Sequence, residues 1–326
     1  MQNKEELIYS GIPTFMGSKH IKEKNEIKDY DVVFLGIPSD YGASYRLGTK
    51  YAPRQLRENS FWDRVDGLPM YDLDSEEYID SNDLKIADMG DVEINPTNPT
   101  QHQKNIATAV KNIRKTSFPL ICGGDHSITY GSFKGCYDAI KETHPDYELG
   151  IIHFDAHMDV EKDYLSMPNV WHGNVFRKLI DDGYLKGQNL YTIGPRGVVN
   201  KNWINYSKEQ KINLYTSNNV KARTIETIIQ EIINKIKKNK KIKFYITFDI
   251  DAIDMSYIFG TGTPQSNGLS VYDCEKALRL LKELDIVAFD IVELNPIIDS
   301  SHAAFIIASE IIFHFLAFTY KKEAQK

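Results

Sequence analysis

Cysteine is scarce in this chain: Cys122, Cys136 and Cys274 are the only three among 326 residues. No C-x-x-C spacing occurs, which argues against a disulfide framework and against a zinc knuckle. Cys122 lies in an apolar run and reads as a small buried hydrophobe, and such usage fits a reducing compartment. A basic excess is also missing. The formal charge is −6 and the pI about 5.9, so nucleic acid is not an expected partner. Uninterrupted apolar stretches of membrane-spanning length are absent. The most apolar long run, 303–318, is broken by Glu310 and His314 and reads as a buried helix rather than a membrane span. Residues 1–6 hold no apolar signal core. A cytoplasmic protein without a membrane partner is the expectation. There is no internal repeat, no low-complexity tract and no linker. The Lys-rich stretches 22–28 and 235–243 read as solvated faces.

What is present is a chain with 42% hydrophobic residues, enough for a large core. Short apolar runs alternate with helical patterns. Strands are expected at 31–36, 85–87, 119–122, 150–154, 190–193, 244–248 and 286–292. Several of these are apolar almost throughout, as in strands covered on both faces. Helices are expected at 103–115, 130–142, 174–182, 224–238, 271–284 and 302–318, with Ser270 and Asp273 forming an N-terminal cap for the fifth. Strand-helix alternation predicts an α/β fold with a doubly wound, mostly parallel sheet. One domain is expected over 1–326, with 1–30 as an N-terminal extension.

Three short polar stretches end apolar runs: Gly123-Gly124-Asp125-His126-Ser127, Asp155-Ala156-His157-Met158-Asp159, and Asp249-Ile250-Asp251. In open α/β sheets the ligand site lies beyond the carboxyl ends of the strands, which is where all three fall. Strand periodicity would put Asp155, His157 and Asp159 on one face, and Asp249 and Asp251 on one face. The twelfth position from Asp249 is Gly260 rather than Glu, so this is no EF-hand. The glycine pair lacks the Gly-Lys-Ser/Thr ending of a P-loop. Two imidazoles and four carboxylates exceed what a structural zinc takes. They suit two oxygen-preferring divalent cations, such as manganese, that activate water.

These three stretches match the metal motifs of the ureohydrolase family, which includes arginase, agmatinase, guanidinobutyrase and formiminoglutamase. The resemblance extends to Gly260-Thr261-Gly262-Thr263-Pro264, to Glu293-Leu294-Asn295-Pro296, and to Gly42-Ala43-Ser44-Tyr45-Arg46-Leu47-Gly48 with Ala52-Pro53-Arg54. It covers about 31–318. It implies a three-layer αβα fold with two Mn2+ per subunit, nickel being the alternative ion. His126 and Asp159 would hold one ion, His157 and Asp251 the other, and Asp155 and Asp249 would bridge them. Metal-activated water would attack a guanidinium carbon, giving urea and an amine, with Asp159 passing on a proton. His172, in Trp171-His172-Gly173-Asn174, matches the family's loop histidine, a proton shuttle. Glu293 matches the carboxylate that holds the guanidinium.

The loop 161–171 lacks the arginase pattern that reads an amino-acid head, and Ile193-Gly194-Pro195-Arg196-Gly197 resembles an agmatinase-type segment. Agmatine is therefore the expected substrate, its ammonium tail met by Glu161, Asp163, Tyr164 and Trp171. A carboxylate-tailed guanidino substrate would instead look to Lys162, Arg46 or Arg196. Compact guanidine is a third reading, with Met167 and Trp171 narrowing the pocket. Met255 stands where the family commonly has Pro, Thr247 where Ser is common, and 255–259 is atypical; these departures bear on the substrate. A single-zinc deacetylase-like hydrolase would need fewer ligands, and a non-catalytic homologue would be expected to have lost some. A homo-oligomer, trimer or hexamer, is implied by the resemblance.

Overall fold

A computed structural model describes residues 11–63, 70–73, 76–79, 84–95, 97–162, 167 and 169–320. The strands, in chain order, are β1 (Lys19–His20), β2 (Val32–Ile37), β3 (Met70–Asp72), β4 (Glu77–Ile79), β5 (Ile86–Asp91), β6 (Phe118–Gly123), β7 (Glu148–Phe154), β8 (Leu190–Ile193), β9 (Asn213–Tyr215), β10 (Ile242–Asp249) and β11 (Ile286–Val292). The α-helices are α1 (Ala52–Asn59), α2 (Pro99–Arg114), α3 (Ile128–Thr143), α4 (Val175–Asp181), α5 (Lys201–Glu209), α6 (Ser217–Arg223), α7 (Ile225–Ile236), α8 (Val271–Leu280) and α9 (Ala303–His314).

Nine strands form one sheet in the order β1-β5-β2-β6-β11-β10-β7-β8-β9. Every neighbouring pair in it is parallel. The pair β3-β4 is antiparallel and stands apart. Two-sided burial explains the apolar strands. In β2, Val32 and Phe34 face a core with α1, α7, α8 and α9, while Val33, Leu35 and Ile37 face a core with α2, α3 and α4. Successive side chains of a strand point to opposite faces, so each strand feeds both layers. The three-layer αβα arrangement follows.

The helices obey the same arithmetic. In α7, Ile225, Ile228, Ile229, Ile232, Ile233 and Ile236 are all buried, one apolar stripe at helical spacing. α8 opens with the expected cap: the Ser270 hydroxyl accepts from the Asp273 N–H at 3.0 Å, and the Asp273 carboxylate accepts from the Ser270 N–H at 3.1 Å. α2 and α3 lie in close contact. A Cβ at Gly135 would stand 2.5 Å from the Ala107 carbonyl oxygen, so only glycine permits that approach.

The structure differs from the sequence reading at several points. The expected helix 302–318 is α-helical to His314 and then widens into a π turn over Phe315–Thr319. Residues 224–238 are preceded by a separate short helix, α6, and Thr224 between them has φ 66°. Of the segment 1–30, residues 1–10 lie outside the described residues. Phe15 is fully buried and stacks on Phe34 at 4.4 Å between ring centroids, and β1 pairs with β5.

One topological fact positions the site. β6 and β7 are consecutive long strands of the sheet, yet β11 and β10 lie between them. Such a reversal of strand order opens a crevice at the carboxyl ends.

Candidate metal centre

β6 delivers Gly123 and then a tight bend before α3 begins at Ile128. That bend carries His126, which is fully buried. β7 ends at Phe154 and β10 at Asp249, placing the other two polar stretches at the same edge. The strand-period argument for these stretches is corrected here. Residues 155–159 have left the strand, Asp159 has φ 49°, and Asp251 sits in a 3-10 turn over Ile250–Ala252. Turns, not strand alternation, converge the side chains.

Converge they do. His126 Nδ1 stands 3.2 Å from Asp155 Oδ2, 3.0 Å from Asp159 Oδ2 and 3.3 Å from Asp249 Oδ2. His157 Nδ1 stands 3.2 Å from Asp155 Oδ1 and 3.2 Å from Asp251 Oδ2. Asp155 thus turns one oxygen to each imidazole. Asp155, Asp249 and Asp251 are at most 2% exposed and Asp159 is 8% exposed.

Crowding marks the electrostatics. Burial, with the charges of Asp251 and Asp155, pushes the Asp249 carboxyl well above the usual range. Burial and Asp155 also raise Asp159. Burial alone would depress both imidazoles, but the carboxylates around them hold His126 and His157 well above the ordinary imidazole value. The His126 Nδ1 is buried with no hydrogen bond of good geometry. Four buried carboxylates and two inward nitrogens form a donor set that fits a binuclear divalent centre.

Partners behind these groups hold them in place. His126 Nε2 meets the Thr247 hydroxyl at 2.9 Å. The Ala156 N–H donates to Asp251 Oδ1 at 3.1 Å, and the Asp251 N–H to Asp249 Oδ1 at 2.8 Å. His153, on β7, contacts Asp155 Oδ2 at 2.7 Å and the Thr192 hydroxyl at 3.2 Å. The sequence reading passed over His153. Its one signal was an imidazole inside an otherwise apolar, doubly covered strand, a position that demands a polar partner. Gln265 at His157 Nε2 (3.0 Å) was also missed, one residue beyond the 260–264 stretch; Thr263, inside that stretch but given no role there, meets Asp251 Oδ2 at 3.3 Å.

His172 and Glu293 lie together beside the cluster. His172 Nδ1 is 3.2 Å from Glu293 Oε1, which also accepts from the His126 N–H at 2.9 Å. Burial lowers the His172 pKa, but Glu293, then Asp159 and Asp125, carry it up to about 9. Its Nε2 faces Ser44: when bare it accepts from the Ser44 N–H at 3.2 Å, and when protonated it can donate to the hydroxyl at 2.8 Å. Asp125, pushed up to about 6 by burial and Glu293, accepts from the N–H groups of Gly42 and Ser127. Gly42 in turn accepts from the His172 N–H at 3.1 Å. A Cβ at Gly42 would lie 2.5 Å from Asp125 Oδ1, so the loop closes only with glycine there.

A cavity of about 600 Å3 opens above the cluster, lined by His157, Asp159, Asp249, His172, Glu161 and Trp171, with Met167 and Trp203 also on its wall. Asp163 and Tyr164 lie outside the described residues. Lys162 and Arg46 are exposed. Arg196 lines the cavity, but its guanidinium is engaged by main-chain carbonyls. Nε donates to Ser266, Nη1 to Gly194 and Ala252, and Nη2 to Asp251, Ile253 and Gln265. The expectation that Arg196 could receive a substrate carboxylate is corrected by this clasp. The atypical 255–259 segment forms a turn that buries Ile258 at 1% exposure.

Known proteins resemble this chain in sequence and in fold. The family model described as "Arginase family" matches residues 30–317. A guanidinobutyrase of Pseudomonas aeruginosa is 30% identical over 94% of this chain and 92% of its own length. An agmatinase of Bacillus anthracis is 29% identical over 91% of this chain and 95% of its own. The solved structure of proclavaminate amidino hydrolase from Streptomyces clavuligerus superposes with a TM-score of 0.81 at 27% identity, covering 96% of this chain and 99% of that one.

Proposed function

This chain belongs to the arginase family, and we propose that it hydrolyses a guanidino compound to urea and an amine, with agmatine, yielding putrescine, as substrate. The observation that carries this reading is Asp155, which faces one imidazole with each oxygen. His126 and Asp159 would hold one divalent cation, His157 and Asp251 the other, and Asp155 and Asp249 would bridge. We read the ions as two Mn2+ per subunit, with Ni2+ as the alternative; the mixed imidazole-carboxylate set accepts either. When bound, the cations lower the pKa of water from about 15.7 toward 7 and supply a nucleophile at neutral pH.

The chain's own residues would do the rest. Glu293 would anchor the guanidinium: Oε1 is already engaged, and Oε2 offers a charge-assisted contact. A guanidinium on Glu293 competes with His172 for that carboxylate. His172 then loses the charge that holds its proton and can release it toward the leaving amine. Asp159, beside His126, would accept the proton of the attacking water.

The tail of the substrate is read from the cavity wall. Arg196 is the one lysine or arginine among the described lining residues, and its N–H groups are spent on carbonyls. Glu161, Trp171 and Trp203 stand on the same wall, an acid and two aromatic faces that suit a cationic or neutral tail. This favours agmatine over the guanidino acids, which stand as the alternative together with guanidine itself. A homo-oligomer is part of the proposal, and Tyr45, Leu47, Phe259 and Ile297, each more than half exposed, would be available to a second copy.

The test is urea release from agmatine, guanidinobutyrate, guanidinopropionate, arginine and guanidine by the manganese-loaded and nickel-loaded protein. Agmatine should give the highest kcat/KM. No urea from any of them, with metal bound, would sink the enzyme reading. A preference for guanidinobutyrate would sink the substrate alone.

A further inference from the structure

The stretch Gly194-Pro195-Arg196-Gly197 follows β8 and is laced to the turn after β7. The Asp155 N–H donates to the Ile193 carbonyl at 3.1 Å, and the Arg196 N–H to the Ala156 carbonyl at 3.0 Å. From there the Arg196 guanidinium reaches two further segments. Its Nη2 donates to the Asp251 carbonyl at 2.7 Å and to the Gln265 carbonyl at 2.8 Å. The Gln265 side chain in turn meets His157 Nε2 at 3.0 Å. Asp251 and His157 are the pair assigned to one cation alone. A single guanidinium nitrogen therefore holds the main chain of one member of that pair and the main chain of the residue that touches the other. The pair assigned to the other cation has different supports: His126 Nε2 meets Thr247 at 2.9 Å, and the Asp159 carbonyl accepts from the Phe176 N–H at 3.1 Å.

An amide suits the place beside His157. The ring turns Nδ1 toward Asp155 Oδ1 and Asp251 Oδ2, both at 3.2 Å, so Nδ1 is the nitrogen that faces the donor cluster. A ring nitrogen that binds a cation carries no proton, and the proton of the neutral imidazole then sits on the other nitrogen and needs an acceptor. The amide oxygen of Gln265 can take it from Nε2, and a turn of the amide about its last bond exchanges its nitrogen for its oxygen. Space for the amide comes from Gly197, where a Cβ would stand 2.7 Å from Gln265 Oε1.

We propose, as an inference that rests on the binuclear reading above, that Arg196 and Gln265 are positioning residues for the cation held by His157 and Asp251. Arg196 fixes the main chain at Asp251 and Gln265, and Gln265 accepts the Nε2 proton of His157. Neither residue binds an ion itself. Partners that orient a histidine ligand set metal affinity by about 10- to 100-fold, so the loss of either residue falls on one ion of the two. The 194–197 stretch thereby serves the metal centre rather than the tail of the substrate.

The test is manganese titration of the full-length, metal-free protein by equilibrium dialysis, which needs no turnover. The wild type should take up two ions per chain. Gln265→Leu and Arg196→Lys should each weaken one of the two by about tenfold or more and leave the other as in the wild type. Gln265→Glu keeps an acceptor oxygen and should bind both ions at least as tightly as the wild type. Gln265→Leu alters one side chain on the cavity wall and serves if Arg196→Lys does not fold. Unchanged affinity for both ions in either folded variant overturns the proposal. So does equal weakening of both ions, which marks a general loss of structure, and so does a Gln265→Glu variant as weak as Gln265→Leu, which removes the acceptor role. A wild type that binds fewer than two ions would instead sink the binuclear reading itself, and this inference with it.

Discussion

Asp159 and Glu293 hold backbone conformations that side chains rarely adopt, with φ of 49° and 63°. Each such residue costs on the order of 1–3 kcal/mol, and such strain concentrates where geometry matters more than stability. Function at these positions is tested one side chain at a time. His126→Ala and Asp251→Asn should each lower the metal content per subunit, read by elemental analysis; unchanged two-metal loading in both would remove them as ligands. Glu293→Gln should keep its metals and lose about a hundredfold in kcat/KM. In the same variant the His172 pKa, now about 9 because of Glu293, should fall toward 6.5, read by NMR titration of the ring. A His172 value that stays high would show that Glu293 is not what holds its proton. His153→Phe should weaken metal binding by about 10- to 100-fold, the usual effect of removing the partner that orients a ligand. Unaltered affinity would make His153 a packing residue only.

Arg196 acts at the scale of elements, because its guanidinium joins the β8 exit, the 3-10 turn after β10 and the 265–266 loop. Arg196→Lys should leave several of those carbonyls unpaired and lower the Tm. It should not change the ratio of rates on agmatine and guanidinobutyrate; a selective loss on the carboxylate-tailed compound would restore Arg196 as a tail receptor. This clasp was not legible in the sequence, where the 193–197 segment marked Arg196 as a motif residue but not that main-chain carbonyls engage its guanidinium. The central strands were legible, since β2, β6, β7, β8, β10 and β11 bury both faces and so read as apolar runs, whereas β5, half-buried and holding Asp88 and Asp91, was read only at its start. β1, β3, β4 and β9 were not, being two or three residues long and at or beyond the sheet edges. Among the helices, α1, α5 and α6, seven to nine residues long, escaped notice, whereas α4, equally short, was expected at 174–182. The six donors were legible from residue type and motif, but the means of their convergence was not. A turn with positive φ at Asp159 leaves no trace in spacing, and only the folded chain shows it.

For the whole molecule, the metal-free centre holds itself together with protons. His126 and His157 have folded pKa values raised above the free imidazole, so their ion pairs stabilise the metal-free chain below that value and fade as pH rises through the raised ones. Cations must displace those protons, so apparent metal affinity should rise with pH, with proton release on binding. Competition titrations at pH 6 and pH 8 should show tighter binding at pH 8, and equal affinity would contradict the assignment. The order of strands adds a temporal consequence. β6 and β7 carry four of the six donors and are made early, but the strands that lie between them, β11 and β10, are made late. A nascent chain that ends before residue 286 lacks β11, the spacer on which β6 and β10 both pair. His126 and Asp155 cannot take up their final separation until the ribosome has released most of the sequence. Metals held by these six donors would then be captured late in the life of each molecule, a seal set on a completed sheet rather than a nucleus around which the sheet grows.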